Sequence, residues 1–219
     1  MALSKLTYNS LNVTAAASKG IGFDSDPDAL QADYTAEAMT FIKKLTASAS
    51  GTLSFVDGTS DVVLDNTYKE YLFTFKNIHP ATDNSKFQFN LSADSGSNYN
   101  VTKTTTYFKA QHNEADSVTD LSYTTGRDLA QGTGVQILDE NVGADNDQCL
   151  SGYLRLFNPS STTFVKHFTS RVSTALNGDE VTDCFIAGYG NTTSAVDAVQ
   201  FSMNSGNIDA GDICLYGIN

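Results

Sequence analysis

Two neighbouring stretches of alternating residues constrain the fold of this 219-residue chain most strongly. A period of two predicts half-buried antiparallel strands, each with one face toward a core. Residues 77–85, between the two stretches, contain a proline and an Asp-Asn-Ser cluster that favour a turn. We therefore expect a β-sheet with an aromatic inner face at the centre of the molecule. The predicted inward residues are Tyr71, Phe73 and Phe75 in the first stretch and Phe87, Phe89 and Leu91 in the second.

The rest of the chain after residue 38 repeats this pattern of short strands separated by polar turns. With the two central strands, the segments make about ten strands at the spacing of a sandwich. The sequence therefore predicts an all-β protein, an antiparallel β-sandwich of the jelly-roll type. The further predicted strands lie at residues 41–46, 52–56, 99–108, 154–156, 164–172, 180–187, 198–203 and 211–217.

Residues 1–38 contain few apolar side chains and differ from the strand-rich remainder. Asp26 followed by Pro27 is typical of a helix start, so a short helix is predicted from Pro27 to about Ala38 in an otherwise extended arm. Such an arm buries too little apolar surface to fold alone. We expect residues 1–38 to form an N-terminal arm for attachment or oligomer contacts, and residues 39–219 to form the sandwich domain.

The charge of the chain argues against nucleic-acid binding. Asp and Glu number 25 against 13 Lys and Arg, which gives a formal net charge of −12. Lys43 and Lys44 form the only adjacent basic pair. Because a strongly acidic surface repels phosphate groups, nucleic acid is excluded as an expected partner.

Targeting signals and cysteine usage indicate the expected compartment. The N-terminus lacks the apolar segment of a signal peptide, and no apolar run has the length of a membrane span. Cys149, Cys184 and Cys214 are isolated, odd in number and without CxxC spacing. These features predict a soluble protein made in a reducing cytoplasm, with free buried thiols rather than a disulfide or metal site.

No catalytic motif is present in the sequence. His79, His112 and His167 are the only histidines, and none belongs to a nucleophile motif such as GxSxG. The many carboxylates fall in turns and loops, where solvated acidic residues are usual, so a glycoside hydrolase is a minor alternative. We therefore predict a non-enzymatic protein with no catalytic, cofactor-binding or metal-binding residues.

Two Asp-rich segments, residues 24–28 and 145–147, have the alternating oxygen atoms that Ca²⁺ binds. Neither has the glycine and the distant glutamate of an EF-hand loop. A helix cap in the first segment and a solvated turn in the second are the preferred interpretations, and a weak Ca²⁺ site remains the alternative.

Aromatic residues and long loops are the candidate recognition elements. Tyr107, Tyr123 and Tyr153 are the least clearly internal aromatic residues and could stack on sugar rings, although packing is the default role. Residues 109–148 are the least regular part of the chain. Because loops of this length on a sandwich usually serve a purpose, we expect a recognition surface to include this region.

Four segments resemble virion structural proteins of tailed bacteriophages, especially marine ones, of the tail-fibre-like type. They are YxEYxFxFxNIHPATD from Tyr68, SADSGSNYN from Ser92, FNPSSTTFVKHF from Phe157 and SGNIDAGDICLYGIN from Ser205. The resemblance covers residues 41–218. It implies a jelly-roll-like domain, a homo-oligomer that is often a trimer, and attachment to the virion by the N-terminal segment. It implies no catalytic residues.

These observations lead to one main hypothesis and two alternatives. The main hypothesis is a non-enzymatic virion protein, made in the host cytoplasm and displayed on the tail as a fibre or adaptor. It would contact itself, other virion proteins and a host surface glycan. The first alternative is a decoration protein on the capsid head. The second is a stand-alone carbohydrate-binding module.

Overall fold

The computed structural model describes residues 38–219 and one short strand pair before them, β1 (Gly22–Phe23) and β2 (Leu30–Gln31). Contacts divide the chain into two units, Met1–Glu37 and Ala38–Asn219. β1 and β2 pair antiparallel, so the helix predicted over residues 27–38 is wrong at Leu30 and Gln31, which are extended. The other residues of that helix before Ala38, and the Asp-rich segment 24–28, lie outside the described residues.

The unit Ala38–Asn219 is built from strands, and its described residues contain no helix. It has twelve strands rather than about ten, because the stretch predicted to be irregular contributes two additional strands, β8 and β9. The strands are β3 (Met39–Thr46), β4 (Thr52–Val56), β5 (Glu70–Pro80), β6 (Phe87–Ser92), β7 (Lys103–Asn113), β8 (Thr119–Tyr123), β9 (Gln136–Ile137), β10 (Leu150–Phe157), β11 (Lys166–Leu176), β12 (Glu180–Gly190), β13 (Ala198–Met203) and β14 (Ile208–Ile218).

The strands form two antiparallel sheets in jelly-roll order. One sheet has eight strands in the order β3-β14-β5-β10-β11-β12-β7-β8, and the other has four in the order β4-β13-β6-β9. The eight strands β3-β14-β5-β10 and β4-β13-β6-β9 follow the jelly-roll connectivity, which confirms the predicted fold class. The remaining strands are two hairpins, β7–β8 and β11–β12, that widen the first sheet beyond β10.

Phe201 of β13 lies at the centre of the core between the sheets. Its buried ring lies 5.5 Å from the ring of Phe73 and 5.2 Å from that of Phe75, both on the opposite sheet. It also stacks on Phe87 of its own sheet at 5.7 Å. All six residues predicted to face inward on the two central strands are buried. Burial alternates in β5, which confirms its predicted phase. β6 is buried along its whole length, so the prediction that it is half-buried is wrong.

A bulge extends β5 into the predicted turn. Asn77 has a φ of 51° and lies beside Gly211, whose φ is 115°, where the pairing of β5 with β14 shifts register. A Cβ atom on Gly211 would lie 2.6 Å from the carbonyl oxygen of Asn77, so this close approach requires glycine. The bulge moves Ile78 into the core and lets the strand continue to Pro80.

The stretch 109–148 is more ordered than its sequence predicts. β7 continues to Asn113 and turns into β8. The segment after β8 is held by backbone hydrogen bonds to both sheets: the Thr105 amide donates to Leu129, and the Leu138 amide donates to Phe87. This segment therefore packs as part of the domain.

Candidate functional site

The outer face of the eight-stranded sheet carries a row of aromatic side chains that crosses five strands. Residues directly opposite in antiparallel pairs lie on the same face of a sheet. Tyr123 of β8 pairs with Phe108 of β7, and Phe108 pairs with Phe185 of β12. Phe185 pairs with Arg171 of β11, which pairs with Tyr153 of β10. We call this row the aromatic ridge.

The middle of the aromatic ridge is a continuous stack. The rings of Phe108 and Phe185 are nearly parallel, with 3° between their planes and 4.8 Å between their centroids. The guanidinium of Arg171 lies over the other side of the Phe185 ring at 4.8 Å. Such cation–π and ring stacking holds each group in one orientation. Phe108, Tyr123 and Tyr153 remain 42%, 50% and 37% exposed.

Beside the aromatic ridge runs a shallow groove. Thr106, Ala187 and Thr169 form the next row across β7, β12 and β11 and are exposed. Tyr189 and His167, whose rings lie 5.9 Å apart, form its far wall. Two cavities of about 230 and 300 Å³ share the three floor residues, so they are parts of one groove. Ala187 creates the depression because its methyl group lies between the larger Phe185 and Tyr189 on the same strand.

Ion pairs compensate the arginines at the groove. Arg171 donates to both carboxylate oxygens of Asp183, the shortest bond being 2.6 Å. This hydrogen bonding raises the pKa of Arg171. Arg155 lies 5.8 Å from the Tyr153 ring and donates to Glu70 at 2.9 Å. The groove therefore presents rings, hydroxyls and paired charges.

A larger cavity, of about 600 Å³, lies elsewhere, at the ends of β7, β11 and β12. Its lining contains four acidic side chains at strand ends and turns: Glu114, Asp147, Asp179 and Glu180. Five residues of the stretch predicted to take part in recognition line it, three at or just after the end of β7 and two, Asp147 and Gln148, before β10. Solvated carboxylates are usual at such positions, so the lining by itself does not indicate a ligand.

The three histidines lie apart from one another. His112 on exposed β7 contacts Asp116 at 3.0 Å, and His79 lies 3.8 Å from Asp209. His167 lies in the wall of the groove beside Tyr189. In the described part of the chain, no hydrogen bond joins a histidine to a serine or cysteine side chain. The described contacts therefore contain no nucleophile and base pair of the kind that hydrolases use.

Tyr107 is not a surface residue, and the packing role that the sequence favoured for it is confirmed. It is fully buried, and its hydroxyl donates to the Cys184 sulfur at 3.0 Å. Phe108, the next residue, faces outward instead. The default packing role is wrong for Tyr123 and Tyr153, which are exposed and belong to the aromatic ridge.

The cysteines are free, as predicted. Cys184 and Cys214 are buried, whereas Cys149 is half-buried. Burial raises the pKa of Cys184 to about 12, the opposite of the change that activates a nucleophilic thiol. Within residues 38–219, no group of three or more His, Cys, Asp or Glu side chains could hold a metal ion. Asp145 instead closes a turn by accepting a hydrogen bond from the Gln148 amide.

Several ionisable groups are buried in the domain. Glu140 lies 3.5 Å from Lys109 and 3.3 Å from Arg127. Asp139 is fully buried and accepts a hydrogen bond from the Phe87 amide, and burial raises its pKa to about 8. Lys103 donates to the Asn90 side chain and the Val101 carbonyl, and burial lowers its pKa to about 8. Glu140 and Asp139 bind the segment after β8 to β7 and β6, and Lys103 joins β7 to β6.

Sequence reasoning missed the main residues of the candidate site: Phe108, Arg171, Phe185 and Tyr189. One signal was available, because Val181, Phe185 and Tyr189 recur on one face of β12 while Thr182, Cys184 and Ile186 occupy the other. A strand with large apolar residues on both faces indicates either two covered faces or an exposed binding face.

Comparison of the chain with known protein families, with curated proteins and with solved structures found no match. The described residues include no helix long and apolar enough to cross a bilayer. The candidate site is therefore defined by its own geometry.

Proposed function

We propose that the chain is a non-enzymatic structural protein of a tailed-bacteriophage virion, placed on the tail as a fibre or adaptor and contacting the host surface. Two kinds of support favour this proposal. The first is the resemblance to virion structural proteins that we infer from the four sequence segments, and the second is the jelly roll, an architecture that viral capsid proteins and lectins share. Because fold alone does not imply function, the proposal depends on the resemblance and on the exposed face together.

One observation carries the proposal. Two of the four segments that carry the resemblance contain β5 and β14, which pair along most of their length in the eight-stranded sheet. The other two segments lie mainly in the turns after β6 and before β11. The opposite end of that sheet presents the aromatic ridge to solvent, which supplies a surface for recognition.

A structural role is also favoured over catalysis. Within the described residues, the buried thiol of Cys184 has a raised pKa, and the carboxylate Glu140 is neutralised by Lys109 and Arg127. Such groups stabilise a domain rather than perform chemistry. We propose that residues 1–38 attach the domain to the particle and that copies assemble as a homo-oligomer, with a trimer as the first candidate.

Electron microscopy of intact particles tests the assignment. Antibodies against residues 39–219, carrying gold, are expected to label the tail. Label spread over the head would reassign the protein as a capsid decoration protein. Failure to detect the chain in purified particles by mass spectrometry would contradict any virion role.

A further inference from the structure

The groove beside the aromatic ridge has the dimensions of a short chain molecule. Phe185 and Tyr189, which bound it on β12, are four residues apart, or about 13 Å along the strand. Across the sheet it runs from β7 to β10, three strand spacings, or about 14 Å. Its two cavities, of about 230 and 300 Å³, share their floor residues, and ligand sites begin at about 300 Å³.

The lining combines apolar rings with hydroxyl groups. Phe108 and Tyr153 offer ring surface at the aromatic ridge, and Tyr189 does so at the far wall. Thr106 and Thr169 place exposed hydroxyls on the floor between them. A ligand that satisfies both must have apolar C–H faces and a polar rim. Sugar rings have this construction, because their C–H bonds are attracted to the negative faces of aromatic rings while their hydroxyls form hydrogen bonds.

The charges at the groove favour an uncharged ligand. Arg171 is held by Asp183 through a two-point ion pair, and Arg155 is held by Glu70. An anionic ligand would have to compete with these carboxylates in a chain whose net charge is −12. A neutral sugar can instead accept hydrogen bonds from the guanidinium edges without breaking either pair.

The groove is rigid before any ligand arrives. Its rings stand on the regular strands β7, β10, β11 and β12, and the Phe108, Phe185 and Arg171 stack fixes the side chains of the aromatic ridge. A preformed site loses little conformational entropy on binding. A second copy of the chain, by contrast, would need a contact of about 800 Å² per partner, much wider than this groove.

We propose that this groove binds an uncharged oligosaccharide of about three sugar units, lying across β7, β12, β11 and β10. This inference rests on the proposed function, since it names the ligand class and the site for the host-surface contact. It assigns Phe108, Tyr153 and Tyr189 as the stacking residues and Thr106 and Thr169 as hydrogen-bonding residues.

The test uses the full chain and a glycan array of neutral hexose and N-acetylhexosamine oligomers together with sialylated and sulfated ones. We expect binding to neutral oligomers of three or more units. The best neutral oligomer is then measured by calorimetry against Ala187→Phe, which fills the groove floor at an exposed position. We expect at least about a tenfold loss of affinity, equal to about 1.4 kcal/mol.

Val181→Phe is the matched control, because it enlarges an exposed side chain on the same face of the same strand β12, outside the groove. It is expected to leave affinity unchanged. Equal loss in both variants, binding only to charged glycans, or no binding to any glycan would each overturn the inference. A change of oligomeric state in Ala187→Phe, measured by light scattering, would also overturn it by making the face an interface between copies.

The two proposals fail separately. Glycan binding by purified protein that is absent from particles would leave the groove assignment standing and contradict the virion role. A protein that is found on the tail but binds no glycan would support the virion role and contradict the groove assignment.

Discussion

Asp139 offers a quantitative test of how the interior of this domain is held together. Its side chain is fully buried beside β6, and one oxygen accepts a hydrogen bond from the Phe87 amide at 2.8 Å. The other oxygen is buried without a protein partner. Burial raises the pKa of the carboxyl from an ordinary value of 3.8 to about 8. The group is therefore protonated in the folded domain over a range in which the unfolded chain has released its proton.

The sign and size of the effect follow from this shift. Because the folded state binds more protons than the unfolded state between the two pKa values, stability falls as the pH rises through that range. One pH unit corresponds to about 1.4 kcal/mol, so the loss between pH 5 and pH 7 is about 2 to 3 kcal/mol. The loss ends near pH 8, where the folded-state group ionises.

Asp139→Asn removes the titration and keeps an oxygen that accepts from the Phe87 amide. We expect the variant to lack this loss, so that its stability relative to the natural protein increases by about 2 to 3 kcal/mol from pH 5 to pH 7. Urea unfolding at each pH unit from 5 to 8, with unchanged m values, measures the difference.

Asp120→Asn on the exposed strand β8 is the control for loss of one negative charge. Its unfolding free energy is expected to run parallel to that of the natural protein over the same pH range. Parallel curves for Asp139→Asn would refute the reasoning, because they would show that the buried carboxyl does not retain its proton.

Three further predictions concern the other buried groups and the N-terminal arm. Phe201→Ala is expected to lower the free energy of unfolding by about 3 to 5 kcal/mol, measured in urea, because it opens a cavity between the sheets. Phe41→Ala, at an exposed edge position, should lower it by under about 1 kcal/mol. Equal losses would contradict the assigned core. Lys103→Met removes a buried cation, and we expect its stability relative to the natural protein to fall above pH 8. There the Lys103 side chain of the folded protein has lost its proton, whereas in the unfolded chain it is still charged, so the natural protein gains stability as the pH rises. A flat difference from pH 7 to pH 10 would argue against this. Deletion of residues 1–38 should leave a cooperatively folding sandwich, checked by circular dichroism, that no longer enters particles.

The alternating residues of β5 and β6 could be assigned from sequence because one face of each strand is packed against the opposite sheet. A side-chain period of two leaves a single phase that buries Tyr71, Phe73 and Phe75 together. The bulge at Asn77 was not predictable in the same way. It depends on the approach of Gly211, which is far away in the chain and adjacent only in the folded sheet.

The local sequence of β7 does not show which face of the strand points to the core. Tyr107 and Phe108 are adjacent aromatic residues in a Thr-rich strand, so either could face the core. The choice depends on β12, where Cys184 accepts a hydrogen bond from the Tyr107 hydroxyl while Phe185 stacks on Phe108. Both contacts join residues 77 positions apart, and no local property of β7 encodes them.

The sequence by itself determined the fold class, the acidic surface and the residues of the central core, because alternation, charge and composition are properties of neighbouring positions. Only the tertiary structure decided which strands lie side by side. The aromatic ridge and its groove exist because two hairpins, β7–β8 and β11–β12, extend one sheet of the jelly roll and place four distant strands in register. Strand register depends on contacts between residues far apart in the chain, and it places aromatic residues from separate strands side by side on one face.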